Sequence, residues 1–302
     1  MSNLIVVGSI ALDTTHFPNR ESIRDVMGGT ASYFTLASSF FEKTGVISII
    51  GTDFPENYKE TLEKSGANID GIEIKDGKSF RFESKFMDNM DEREDLATEI
   101  NVLGEFNPKL PEAYKDAEFI FLGNTDPEQH LSVLDQVKNP KLTAFDTIKL
   151  WIDTKLDTVM EVIKRVDIVF LNEFEVRDIF KEQNLKKAAM KCLDLGPSYI
   201  VIKKGEHGAL LYGKDLHFSI PGYPLDEVVD PTGAGDSFAG GFMGWIAKTR
   251  DISEANLRKA MVYGSILASF NTQNIGPDAF KNINMLDIQN RYNDFRRIVE
   301  FE

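Results

Sequence analysis

The stretch VVDPTGAGDSFAGGFMGWIA, residues 228–247, carries the strongest fold signal in the chain. It opens with a turn at Asp230 and Pro231. A loop of small residues follows: Thr232, Gly233, Ala234 and Gly235. Then come an acid, Asp236, and an apolar helical run with glycines at 240, 241 and 244. Small residues ahead of a helix let the backbone fold tightly and aim several N–H groups at one point, where the helix dipole adds positive potential. This predicts an anion hole with Asp236 beside it. Such a pair has a chemical logic: backbone N–H groups stabilise charge on transferring phosphoryl oxygens, and a carboxylate accepts the proton of an incoming hydroxyl. The plainer alternative is that Asp236 only caps the helix and the glycines only serve close packing.

Two other phosphate loops do not fit. GAGDSF lacks the G-x-G-x-x-G spacing and stands late in the chain, which disfavours a dinucleotide-binding dehydrogenase. No G-x-x-x-x-G-K-[ST] occurs either.

Upstream, short apolar or β-branched runs alternate with helical patterns. Strands are expected at 4–8, 46–51, 118–123, 141–146, 167–171, 199–203 and 209–212. Several are continuously apolar, as in strands buried on both faces. The clearest helix is 184–195, where Leu185, Ala188, Ala189, Cys192 and Leu193 form one stripe that Gly196 and Pro197 end. The alternation predicts an α/β fold with a doubly wound, mostly parallel sheet flanked by helices. Residues 69–103 differ. FRFESKFM (80–87) and LATEINVL (96–103) alternate like strands around the charged hinge DNMDERED (88–95), read as a solvated turn. A small antiparallel sheet inserted here is expected, with residues 10–27 contributing.

Composition bounds the function. The 302 residues carry a formal net charge of −14, are 42% hydrophobic and 27% charged, and include one cysteine. That is ordinary for a globular protein and excludes disordered, fibrous and disulfide-scaffold classes. The acidic balance argues against nucleic acid and anionic membrane as partners. No two of the four histidines stand at metal-ligand spacing, so zinc is not expected. LIVVGSIAL near the start is too short to span a bilayer and has no basic run before it, so the expected compartment is the cytoplasm.

Five markers in order resemble the ribokinase-like (PfkB) family of sugar and nucleoside kinases. DPTGAGDSFAGGF is similar to its C-terminal signature. VVGSIALD (6–13) resembles its first strand, GGTASYFTLA (28–37) its di-glycine helix start, NEFE (172–175) its N-x-x-E motif, and IKKGEHGAL (202–210) its nucleotide-side hairpin. The resemblance spans most of the chain as one kinase domain, with a β-sheet lid inserted at about 10–27 and 69–103. It implies an ATP- and Mg²⁺-dependent phosphotransferase whose acceptor is an alcohol, a sugar hydroxymethyl first and a nucleoside as the alternative. Asp236 would be the base, with Gly233, Ala234 and Gly235 as the anion hole. Asp13, Gly28, Gly29 and Tyr33 would line the acceptor. Asn172, Glu175, Lys203, Gly205 and Thr232 would face the nucleotide, Glu175 holding Mg²⁺ through water. Asp230 and Thr232 would be ligands for a monovalent cation such as K⁺.

Two departures stand out. Tyr33 occupies the place of the family's usual Asn, which puts ribose recognition in question. Pro231 replaces the usual Thr, fixing φ and removing an N–H. Local alternatives remain open. Asn172 and Glu175 also fit a helix capping box, and His207 reads as a solvated turn residue. Phe80, Phe82 and Phe86 point to one face, which would cover the acceptor, form a homodimer interface, or pack within the chain. A binding protein without catalysis on the same fold is the remaining rival.

Overall fold

A computed structural model describes residues 2–87 and 93–300. Thirteen strands are found among them: β1 (Leu4–Val7), β2 (Ala11–Phe17), β3 (Arg20–Gly28), β4 (Thr44–Gly51), β5 (Asn68–Lys75), β6 (Phe80–Phe86), β7 (Arg93–Glu99), β8 (Phe119–Leu122), β9 (Leu142–Asp146), β10 (Ile168–Asn172), β11 (Tyr199–Lys203), β12 (Ala209–Gly213) and β13 (His217–Ile220). Nine form one sheet in the order β13-β12-β11-β10-β9-β8-β1-β4-β5. Its strands run parallel from β11 to β5, and β12 and β13 add an antiparallel edge.

Alternate residues of the central strands feed two cores. Leu4, Val6, Phe121 and Phe170 face the helices Thr30–Ser38, Ala234–Thr249 and Glu254–Thr272, while Ile5, Val7, Ile120 and Val169 face the opposite layer. Burial on both faces is why these strands read as unbroken apolar runs. The predicted helix at 184–195 forms over Leu185–Leu193, with Cys192 buried in its stripe. Among the described residues, no helix is long and apolar enough to cross a membrane.

The other four strands make a small sheet in the order β3-β2-β6-β7, and here the expectation needs correcting. Residues 68–75 are not part of it: β5 pairs in parallel with β4 at the edge of the large sheet, because the chain returns there after the Glu56–Lys64 helix and Ile69 and Ile72 pack on the core. Nor is the small sheet antiparallel throughout. β2 and β6 pair in parallel, since the chain leaves through the large sheet between them and re-enters in the same direction. The second strand also ends early. Residues 101–105 form a 3₁₀ turn that buries both Val102 and Leu103, which adjacent strand positions could not do on one face. Of the hinge at 88–95, residues 88–92 lie outside the described residues, and Glu94 and Asp95 are exposed in β7. The phenylalanine row of β6 packs within the chain at all three places, Phe82 lying half-buried against the core. Phe80 joins the core, and Phe86 stacks on Phe17 with ring centroids 5.9 Å apart.

The helix Ala234–Thr249 is seated by close approach. A Cβ at Gly240 would come within 2.4 Å of the Phe34 carbonyl oxygen in the facing helix. Gly240→Val therefore forces these helices apart, and is expected to cost about 1–3 kcal/mol. Urea unfolding reads this directly; an unchanged midpoint would contradict the packing.

Candidate active site

The site assembles where the parallel strands end, the edge at which open α/β sheets bind ligands. The helix Ala234–Thr249 starts there, and Gly233 caps it with φ 75°, in the left-handed region that favours glycine. A side chain at Gly233 is also excluded by space, because its Cβ would lie 2.3 Å from the ring of Tyr33. The Gly233 carbonyl accepts the Ser237 N–H at 2.8 Å and the Pro231 carbonyl accepts the Ala234 N–H at 3.2 Å, so the helix begins tightly. Asp236 stands in this first turn.

Tyr33 is almost fully buried, with 3% exposure. Burial drives its phenol well above the usual range, and the charges of Asp13, Asp230 and Asp236 add to the shift. The residue foreseen as a departure thus stands protonated within the field of the two acids expected to handle the acceptor and the acid expected beside the cation. Asp13 is buried on β2, against Gly28 of β3; a Cβ at Gly28 would lie 1.8 Å from Asp13 Oδ2. Gly29, at φ 87°, starts the helix Thr30–Ser38.

Asp230 Oδ1 accepts the Thr232 N–H at 2.9 Å, which bends the loop. The Thr232 carbonyl accepts from Asn271 Nδ2 at 2.7 Å. Thr232 Oγ1 and Asn271 Oδ1 are both buried without a hydrogen-bond partner among the described residues. Two such oxygens next to a carboxylate are a donor set that suits a hard monovalent cation.

On the other side of the loop 232–235, Lys203 at the end of β11 forms an ion pair with Asp146 at the end of β9. Its ammonium abuts the loop, 3.0 Å from where a Gly235 Cβ would stand. Burial works against that charge, but Asp146 and Glu175 outweigh it and hold the ammonium above its ordinary pKa. Asn172 and Glu175 form the capping box. Asn172 Oδ1 accepts the N–H groups of Phe174 and Glu175, both at 2.9 Å, and Glu175 Oε2 accepts the Asn172 N–H at 2.8 Å. The other Glu175 carboxylate oxygen takes no part in the box and would be the one to meet a hydrated divalent ion. Burial pushes the Glu175 carboxyl up to about 7, and the charge of Asp146 adds to this.

Most of the foreseen residues therefore meet at one place. Gly205 is exposed two residues past the end of β11, with nothing within 4 Å of its Cβ position, and His207 is exposed beside it. Asp146 and Asn271 were not foreseen. Asp146 had a usable signal, being an acid that ends an apolar strand at the sheet's ligand edge. Asn271 had none, because it lies inside a helix far along the chain.

The chain belongs to the pfkB family of carbohydrate kinases, whose model matches residues 1–283. It is a phosphotransferase that acts on an alcohol acceptor, a sugar or a nucleoside. A cytidine kinase from Thermococcus kodakarensis is 33% identical over 84% of this chain and 92% of its own. A nucleoside kinase from Methanocaldococcus jannaschii is 26% identical over 89% of this chain and 90% of its own. The fold matches the crystal structure of Methanocaldococcus jannaschii nucleoside kinase with a TM-score of 0.78 at 21% identity, covering 97% of this chain and 98% of that one. A ribokinase from Thermotoga maritima matches with the same TM-score of 0.78 at 20% identity, covering 97% and 100%.

The position of Glu175 has a consequence for stability. Its folded pKa is raised, so the folded state binds the extra proton between the ordinary carboxylate range and about 7. The stabilisation is complete below that range and is lost as pH rises through about 7. Glu175→Gln is expected to flatten this decline. Denaturant titrations of both proteins at pH 5 and pH 8 test it, and parallel pH profiles would refute it.

Proposed function

We propose that this chain is a nucleoside kinase that moves the γ-phosphoryl group of ATP to the hydroxymethyl of a nucleoside, cytidine being the first candidate. The sequence alone put a free sugar first. The observation that reverses this order is the 33% identity to a cytidine kinase over 84% of the chain, and nucleoside kinases stand next among its relatives.

In this reading Asp13 and the backbone of Gly28 and Gly29 hold the sugar hydroxyls. Asp236 accepts the proton of the attacking hydroxymethyl. The N–H groups of Gly233, Ala234 and Gly235 receive the charge that spreads over the transferring phosphoryl oxygens. The Ala234 N–H, which donates to the Pro231 carbonyl at 3.2 Å, is released or shared when it does so. Lys203 adds a fixed positive charge on the nucleotide side. Asn172 and Glu175 would help to hold Mg²⁺ and the phosphates, Glu175 through water, and Asp230 with Thr232 would hold a monovalent cation. Mg²⁺ would neutralise the nucleotide phosphates when bound. The small sheet acts as a lid that excludes water and limits idle ATP hydrolysis.

The deciding experiment is ADP release from ATP and Mg²⁺ against nucleosides and free sugars, with Asp236→Ala as control. Turnover on cytidine that the variant loses supports the reading; turnover on free sugars alone refutes it. Asp236→Ala is expected to lower kcat at least about 100-fold, the scale of general-base loss, with ATP affinity kept. Asp13→Ala is expected to raise chiefly the acceptor KM, as loss of a binding contact does. An effect confined to the ATP KM would remove Asp13 from the acceptor side.

A further inference from the structure

The hairpin of β2 and β3 reaches the segment just before the anion loop through the side chain of Arg20. Arg20, the first residue of β3, lays its guanidinium over the Phe17 ring, 3.6 Å from the centroid. Phe17 is stacked in turn on Phe86 of β6, so two strands of the small sheet hold this cation in place. From there Arg20 Nη2 donates to the carbonyl oxygen of Val229 at 2.5 Å, a contact between residues 209 apart in the chain.

Val229 is an informative target. Its own N–H donates to the Thr272 carbonyl at 2.7 Å, and the Asp230 N–H donates to the same oxygen at 3.1 Å. The residue is thus gripped by the end of the Glu254–Thr272 helix on one side and by the small sheet on the other. Asp230 comes next and braces Thr232. Between them Pro231 fixes φ. A shift at Val229 is therefore passed on towards Gly233 and Asp236, with little backbone freedom to absorb it.

We propose that Arg20 is a positioning residue for phosphoryl transfer: its bond to Val229 ties the seating of the small sheet over the acceptor to the shape of the anion loop. The inference rests on the reading of that loop given under Proposed function. In this arrangement the anion hole is fully formed only when the sheet is down. The sheet is held down by a hydrogen bond to backbone, which does not depend on which acceptor lies beneath.

The test joins hydrogen–deuterium exchange to kinetics, using the full chain and its Arg20→Ala and Arg20→Lys variants. Arg20→Ala is expected to speed amide exchange of residues 232–236 about tenfold in the unliganded protein. It should lower kcat of acceptor-dependent ADP release about tenfold and leave the ATP KM within about twofold. It should also raise the ATP hydrolysed per acceptor phosphorylated. Arg20→Lys, which can keep both the ring contact and the donor, is expected to recover most of each effect. Faster exchange confined to residues 11–28, an unchanged kcat, or equal impairment by lysine and alanine would each overturn the proposal. Asp236→Asn separates the two ideas. If that variant keeps turnover while Arg20→Ala still loosens residues 232–236, the assigned chemistry of the loop fails and the mechanical link stands.

Discussion

The ammonium of Lys203 is the charge around which this site is organised. Asp146 pairs with it directly, and Glu175 and Asp236 both act on it. Without it, several carboxylates would crowd one buried place, and each would be driven towards its neutral form. Lys203 and Asp146 come from the ends of β11 and β9, with β10 between them. The ion pair therefore spans the strand that delivers Asn172. Breaking one partner of such a pair leaves an uncompensated buried charge, which is far costlier than the net worth of the pair.

The large sheet was legible because physics marks its strands plainly. Segments such as FIFL and IVFL are buried on both faces, so apolar character runs on without alternation. The tight helix start at 230–236 was legible for a related reason: a left-handed turn and close contacts at Gly233 and Gly240 leave room only for small residues. The small sheet was only half legible. Alternation locates a strand but does not name its partner, so β5 looked like a member of the insertion although it pairs with β4. At NEFE two readings of one spacing were both open, and the capping box is the one formed. A cap and an ion ligand draw on different oxygens of the same glutamate, so the first does not remove the second.

Asp146 and Asn271 escaped notice because each needs a partner far away in sequence to acquire meaning: Lys203 for the first, Thr232 for the second. Tyr33 was noticed as an oddity, but its place was not foreseen. Only in three dimensions does its ring meet Gly233, 200 residues later. That contact gives the glycine two independent reasons to be glycine, one conformational and one spatial.

The parallel pairing of β2 with β6 has a consequence for how this fold can be remade. The small sheet is stitched from two hairpins that leave the large sheet at separate points, and the seam between them runs through Ala11–His16 and Phe80–Lys85. It is not a cassette that can be lifted out by cutting one loop. Grafting the small sheet of another kinase onto this frame means exchanging two distant segments together, in matching register. A chimera that swaps only one would set two strangers side by side along the seam.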